Sequence, residues 1–143
     1  MIREDKGQVS LEYLLIFAVS LIILIALTLP LVEFGFEKTL DVSNSLNVES
    51  ELSKLSNAIS QVYGEGQGSK QTIYLNLDKP INVKISNSYI SASYVMKDGK
   101  TKDFKLNHNS NLDSGSLFLD KGENKIIVEW QVGSEQMVIY KKY

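Results

Sequence analysis

Residues 14–32, from Leu14 to Val32, form nineteen consecutive positions without a charge. That length matches the ~20 residues a helix needs to cross the hydrocarbon of a bilayer. The run constrains everything else, because a stretch this apolar must lie in lipid or be packed against other apolar surface. It opens beside a carboxylate, Glu12, with Tyr13 between. A charge at the edge of such a run is costly in lipid unless it gains a partner. The leader in front, residues 1–7, is short and polar, with two positive and two negative side chains.

A secretory signal has a basic start, a shorter apolar segment of about 7–15 residues and a small-residue cleavage site behind it. Here Leu29-Pro30-Leu31-Val32-Glu33 follows instead, which is a poor site, so the run is expected to be retained. A small residue, Gly7, lies in front of it, where a peptidase on the cytoplasmic side could reach.

Lys6-Gly7-Gln8-Val9-Ser10-Leu11-Glu12-Tyr13 resembles the class III signal of archaeal type IV pilin-like proteins, whose pattern is Q-x-S-x-E-[YF]. The resemblance covers roughly the first 35 residues, and the remainder agrees with that family only in architecture. It implies cleavage by a prepilin peptidase between Gly7 and Gln8, with Gln8, Ser10, Glu12 and Tyr13 as the processing and assembly motif. It also implies that the helix bearing Leu14, Leu15, Phe17, Leu21, Ile25, Leu29 and Pro30 passes from the membrane into a filament core. The partners implied are a homo-oligomer of identical or related pilins, the peptidase, a pilus assembly platform, and the membrane before assembly.

The chemistry of Glu12 leads the same way. A carboxylate buried in a bundle of helices needs a cation or hydrogen-bond donors. Cleavage before Gln8 would create an α-amino group. At about 4 Å and an effective dielectric near 20 the pair attracts by about 4 kcal/mol before desolvation. Desolvation offsets much of that, so registry is its expected value. The plainer reading is that Glu12 marks the interfacial end of a membrane span. Ser10 and Ser20 are tolerated because hydroxyls bond back to helix carbonyls. Pro30 removes one backbone hydrogen bond and is expected to kink or locally melt the helix. It could equally mark, with Gly35, the exit of the span from the membrane.

Beyond Glu33 the pattern becomes amphipathic. Apolar residues stand at Leu40, Val42 and Leu46, and then at Val48, Leu52, Leu55, Ile59 and Val62 in a three-four repeat. One helix of about 55 residues is expected, its second half packing on a domain of the same chain. Gly64-Glu65-Gly66-Gln67-Gly68 ends it. A phosphate loop is excluded there, since no strand precedes it and no G-K-[ST] closes it.

From Gln71 onward apolar residues alternate. Ile73, Leu75 and Leu77 share a face, as do Ile81, Val83 and Ile85. Tyr89 to Met96 and Thr101 to Leu106 flank Lys97-Asp98-Gly99-Lys100, read as a hairpin with a type I′ turn. Ser116 to Leu119, Asn124 to Val132 and Glu135 to Tyr140 complete six or seven strands, with Ile126, Val128, Trp130 and Val132 on one face. Short turns imply antiparallel neighbours, forming one curved sheet or a small sandwich. The fold class is α+β: a leader at 1–7, a hydrophobic helix at 8–35, an amphipathic helix at 36–63, a glycine-rich linker at 64–70 and an antiparallel β domain at 71–143.

The formal net charge is −2 and the chain has no cysteine. No basic field exists to hold nucleic acid, and disulfides, thiol catalysis and cysteine-based zinc sites are excluded. His108, the single histidine, is read as a surface loop residue with no metal partner of its own kind. The loop from Asn109 to Asp120 faintly echoes a calcium loop, but Asn109 and Ser114 replace the Asp and Gly such a loop requires. Tyr74, Tyr89, Tyr94, Tyr140 and Tyr143 could form an adhesive face, though tyrosines more often edge a β core. No N-x-[ST] sequon occurs, a departure from the glycosylation the resemblance implies. No constellation of acid, base, nucleophile or metal ligand stands out, so no enzyme, metal or cofactor is expected. The expectation is a structural pilin subunit for surface attachment. The alternative is a membrane-anchored, extracytoplasmic β-domain binding module.

Overall fold

The computed structural model describes the backbone from Glu4 to Tyr143 and side chains from Ser10 onward. The expected cleavage site, Gly7-Gln8, and the leader lie outside the residues whose side chains are described. The chain divides into two compact units, Met1–Leu40 and Asp41–Tyr143. A single helix, α1 (Glu4–Glu65), contributes to both.

In the first unit α1 is helical without interruption through Pro30. Local melting at Pro30 is therefore not seen. Proline removes the bond that its own N–H would have donated to Ala26 and crowds that carbonyl, yet the turns on either side hold the helical geometry. The hydroxyl of Ser20 donates to the Ile16 carbonyl at 2.8 Å, and that of Thr39 to Gly35 at 2.9 Å. Thr28 does the same to Leu24. Each hydroxyl thus satisfies itself on the carbonyl one turn back.

The second unit holds the rest of α1 and seven strands. These are β1 (Lys70–Leu77), β2 (Ile81–Ile85), β3 (Tyr89–Val95), β4 (Thr101–Asn107), β5 (Gly115–Leu119), β6 (Gly122–Glu129) and β7 (Val138–Lys142). They form two sheets, ordered β1-β6-β7 and β4-β3-β2-β5. Every pairing is antiparallel, yet β1 pairs with β6 and not with its neighbour in sequence. Of the two architectures left open by the sequence, the two-sheet one is formed. One core takes in Val48, Leu52, Leu55, Ile59 and Val62 of α1 together with the inward residues of both sheets. Leu40, Val42 and Leu46, apolar like their successors, are exposed.

α1 ends two residues into the glycine-rich stretch. Gly66, at φ 87°, donates its N–H to the Val62 carbonyl at 3.1 Å, closing the last turn in a left-handed cap. The β3–β4 turn differs from the type I′ expectation. Only Gly99 has a positive φ, 81°, and the Gly99 N–H donates to the Met96 carbonyl at 3.1 Å. That is a type I turn followed by a left-handed glycine, with Met96 falling outside β3. Asp98 stays in the right-handed region, where a residue with a Cβ is less strained.

The expected strand from Asn124 to Val132 stops at Glu129. Ile126 and Val128 are buried as expected, but Val132 is 82% exposed in the turn that follows. The Trp130 indole N–H is taken by the Ser134 carbonyl at 2.8 Å, and its ring stacks on Tyr63 with centroids 5.7 Å apart. The Trp130 backbone still pairs beside β1, its N–H donating to the Ser69 carbonyl at 3.0 Å and its carbonyl accepting from the Gly68 N–H at 2.6 Å, and the chain turns only after it. The last strand accordingly starts late, at Val138.

Candidate functional site

The first unit has almost nothing to bury its apolar residues against. Leu14, Leu15, Phe17, Leu21, Ile25 and Leu29 are all exposed, as are Leu31, Val32, Phe34 and Phe36 further along. The most apolar eighteen-residue window of this helix is 0% buried, and by length and composition the helix can cross a membrane. It is apolar around its circumference rather than along one stripe. A helix of that kind belongs in lipid or inside a bundle. Glu12 is exposed on this helix, with no ion-pair partner among the described residues. Ser10 and Tyr13 lie on the same helix, also exposed.

In the second unit, His108 is 5% exposed, and neither ring nitrogen has a hydrogen-bond partner. The expectation of a surface histidine is corrected. The backbone on either side of it is pinned: the Ser56 hydroxyl donates to the Asn107 carbonyl at 2.9 Å, and the Asn109 N–H donates to Ser60 Oγ at 3.3 Å. These bonds draw the segment onto α1 and take the imidazole in with it. Burial pulls its pKa below the usual histidine value, and the nearby Tyr89 backbone opposes that.

The oxygens of the Asn109-to-Asp120 loop are turned to the protein. Asn111 accepts from the Met137 N–H at 3.3 Å and donates to the Glu135 carbonyl at 2.6 Å. Asp113 accepts from Gln136 at 2.8 Å, and Asp120 pairs with Lys141. The tyrosines divide. Tyr94 is buried and donates to Asp78 at 2.8 Å, whereas Tyr74, Tyr140 and Tyr143 are exposed. Two carboxylates on the core side of α1 escaped the sequence reading. Asp41 and Glu51 are both buried and accept backbone N–H bonds from Lys97 and Asn76. Their signal was present, since both lie on the same helical face as Val48, Leu52 and Leu55.

A membrane-length, unburied apolar helix joined in sequence to an antiparallel β unit defines a subunit whose helix must find its cover in lipid or in other helices. The comparisons agree. The family described as class III signal peptide matches residues 6–31. The minor structural pilin EpdB of Methanococcus maripaludis is 29% identical over 86 residues, 60% of this chain and 64% of that protein. The match thus spans less than two thirds of the relative's length. No solved structure matches the chain. The chain thus carries a class III signal sequence over residues 6–31 and is similar to an archaeal minor structural pilin over part of its length. Those two likenesses point to a structural protein.

Proposed function

We propose that this subunit is cut between Gly7 and Gln8 by prepilin peptidase and handed from the membrane to an assembly platform. It then polymerises through residues 8–35 into an extracellular filament that serves surface attachment. The observation that supports this is the uniformly exposed apolar helix from Leu11 to Phe36. Covering a Leu, Ile or Phe side chain is worth about 1.5–3 kcal/mol each. Subunits leaving lipid keep that gain only by packing their helices together. Glu12 is then paired with the new α-amino group of a neighbour. Pro30 falls within the assembly stretch. The amphipathic stretch at 36–63, the linker at 64–70 and the β domain at 71–143 carry the outer surface.

The test is mass spectrometry of filaments sheared from cells. The expected result is a mature chain that begins at Gln8 and is enriched in the sheared fraction. A chain that keeps Met1 to Gly7, or that remains with the membranes after shearing, supports the anchored binding module instead. Glu12→Ala should reduce filament number or alter helical symmetry.

A further inference from the structure

The solvent-facing side of the four-stranded sheet is built unlike an ordinary solvated face. Its central strands carry small residues, Ser91 and Ser93 on β3, between longer side chains on β2 and β4. The result is a shallow depression of about 430 Å³ bordered by Asn82, Lys84, Ser91, Ser93 and Asp103. The registers order these groups. Lys105 faces Ser91, and Ser91 faces Lys84, so the three lie in one row across the sheet. Asp103 faces Ser93, and on the far side Asn82 faces Phe118. The outer face thus carries a row of ammonium, hydroxyl and ammonium beside a row of carboxylate, hydroxyl, carboxamide and phenyl.

These groups are mostly unspent. Neither Lys84 nor Lys105 forms an ion pair among the described residues. Lys105 instead rests 4.1 Å above the Tyr89 ring. Asp103 accepts from Ser93 at 2.6 Å and is itself exposed. Phe118 is 57% exposed at the edge strand, though its strand neighbours Leu117 and Leu119 are buried. With a strand spacing of about 4.8 Å, Lys84 and Lys105 are placed about 10 Å apart across β3, roughly the length of a disaccharide unit.

We propose that this face binds an acidic saccharide chain. Its carboxylates pair with Lys84 and Lys105, as charge-assisted bonds favour. Its hydroxyls meet Asn82 and Ser91, which both donate and accept, and Asp103, whose carboxylate accepts. The apolar face of one sugar ring lies on Phe118, in the way aromatic side chains offer apolar area beside polar groups. The depression over Ser91 and Ser93 gives the rings room. The site goes beyond filament assembly and names the chemistry by which the outer surface would attach. It uses no residue of the apolar helix, so it stands whether or not the chain polymerises.

The experiment is calorimetric titration of the full chain in detergent micelles with tetragalacturonate, and with neutral maltotetraose in parallel. Saturable binding of the acidic sugar is expected, at least tenfold tighter than the neutral one, and weakened by added salt. Lys84→Gln and Phe118→Ala should each weaken binding about tenfold, and Lys142→Gln, on the other sheet, should leave it unchanged. All three residues project from exposed strand positions, so unchanged circular dichroism and melting should accompany each variant. Absence of saturable binding overturns the proposal. So does equal binding of the neutral sugar, or loss of affinity shared equally by Lys142→Gln. Failure here leaves the filament reading intact, because that is judged on mature chain ends and shearing.

Discussion

Both carboxylate oxygens of Asp41 accept the backbone N–H of Lys97, each at 3.2 Å. The contact ties the helix to the β3–β4 turn through a polar bond. Asp41 is buried, so removing it leaves the Lys97 N–H without its acceptor. A hydrogen bond to a charged acceptor contributes about 1.5–3 kcal/mol. Asp41→Ala should therefore lower the stability of the second unit by about 2 kcal/mol. Asp41→Asn, which keeps one acceptor, should cost less. Amide exchange at Lys97 in the full chain should accelerate in Asp41→Ala, and unchanged exchange there would refute the role.

Tyr94 gives an alkaline limit. Burial raises its pKa from 10.0 to about 12, and the Asp78 carboxylate it donates to adds to the shift. The neutral phenol is thus favoured in the fold. Its contribution is complete below pH 10 and is lost as pH rises through about 12. Ultraviolet titration of the tyrosinates should show one group lagging behind the exposed ones, absent in Tyr94→Phe. The same variant leaves Asp78 without its donor. Asp78 Oδ1 is already buried and unpartnered, so a loss of about 1–3 kcal/mol is expected at neutral pH.

Much of this was legible from residue order. The run from Leu14 to Val32 is uncharged and long enough to cross a membrane, so its need for lipid or a bundle of helices can be read from residue order alone. The repeat Val48, Leu52, Leu55, Ile59, Val62 named the covered face of α1, and the alternation in β1 and β2 named the inward faces. What order could not give was pairing. Ile73 shows a strand, but nothing in it says that β6 rather than β2 lies alongside. The same holds for the residues after Trp130: Val132 continues the β6 alternation by sequence but lies exposed in the turn, while Trp130 is held by Ser134 and Tyr63. His108 was misplaced for a related reason. Its neighbours Asn107 and Asn109 read as loop, and their bonds to Ser56 and Ser60 exist only after α1 has docked. The outer row of Lys84, Ser91 and Lys105 likewise depends on register.

His108 should govern the acid limb. With its pKa lowered by burial, the unfolded chain takes up a proton that the folded chain refuses. The stability it permits is present above about pH 6.5, the unperturbed value, and falls as pH drops through the folded pKa. His108→Phe removes the titration, and because both ring nitrogens are unpartnered it sacrifices no hydrogen bond. Melting temperatures of the two proteins should nearly coincide at neutral pH and diverge in favour of His108→Phe in mild acid. Parallel acid limbs would show that His108 is not the group responsible.

The two stretches of α1 should respond oppositely to truncation. Ile59 is fully buried in the core shared with both sheets, whereas Ile25 is 51% exposed on the apolar helix. Ile59→Ala creates a cavity and should cost about 2–5 kcal/mol, shifting the melting of the second unit downward. Ile25→Ala removes no contact within the described chain, so that melting should not move in detergent. Its cost should emerge only where the helix is covered by others, as fewer or shorter filaments in the sheared fraction. A stability loss for Ile25→Ala in the isolated subunit would mean that the helix finds its cover within its own chain, and would remove the physical reason for assembly.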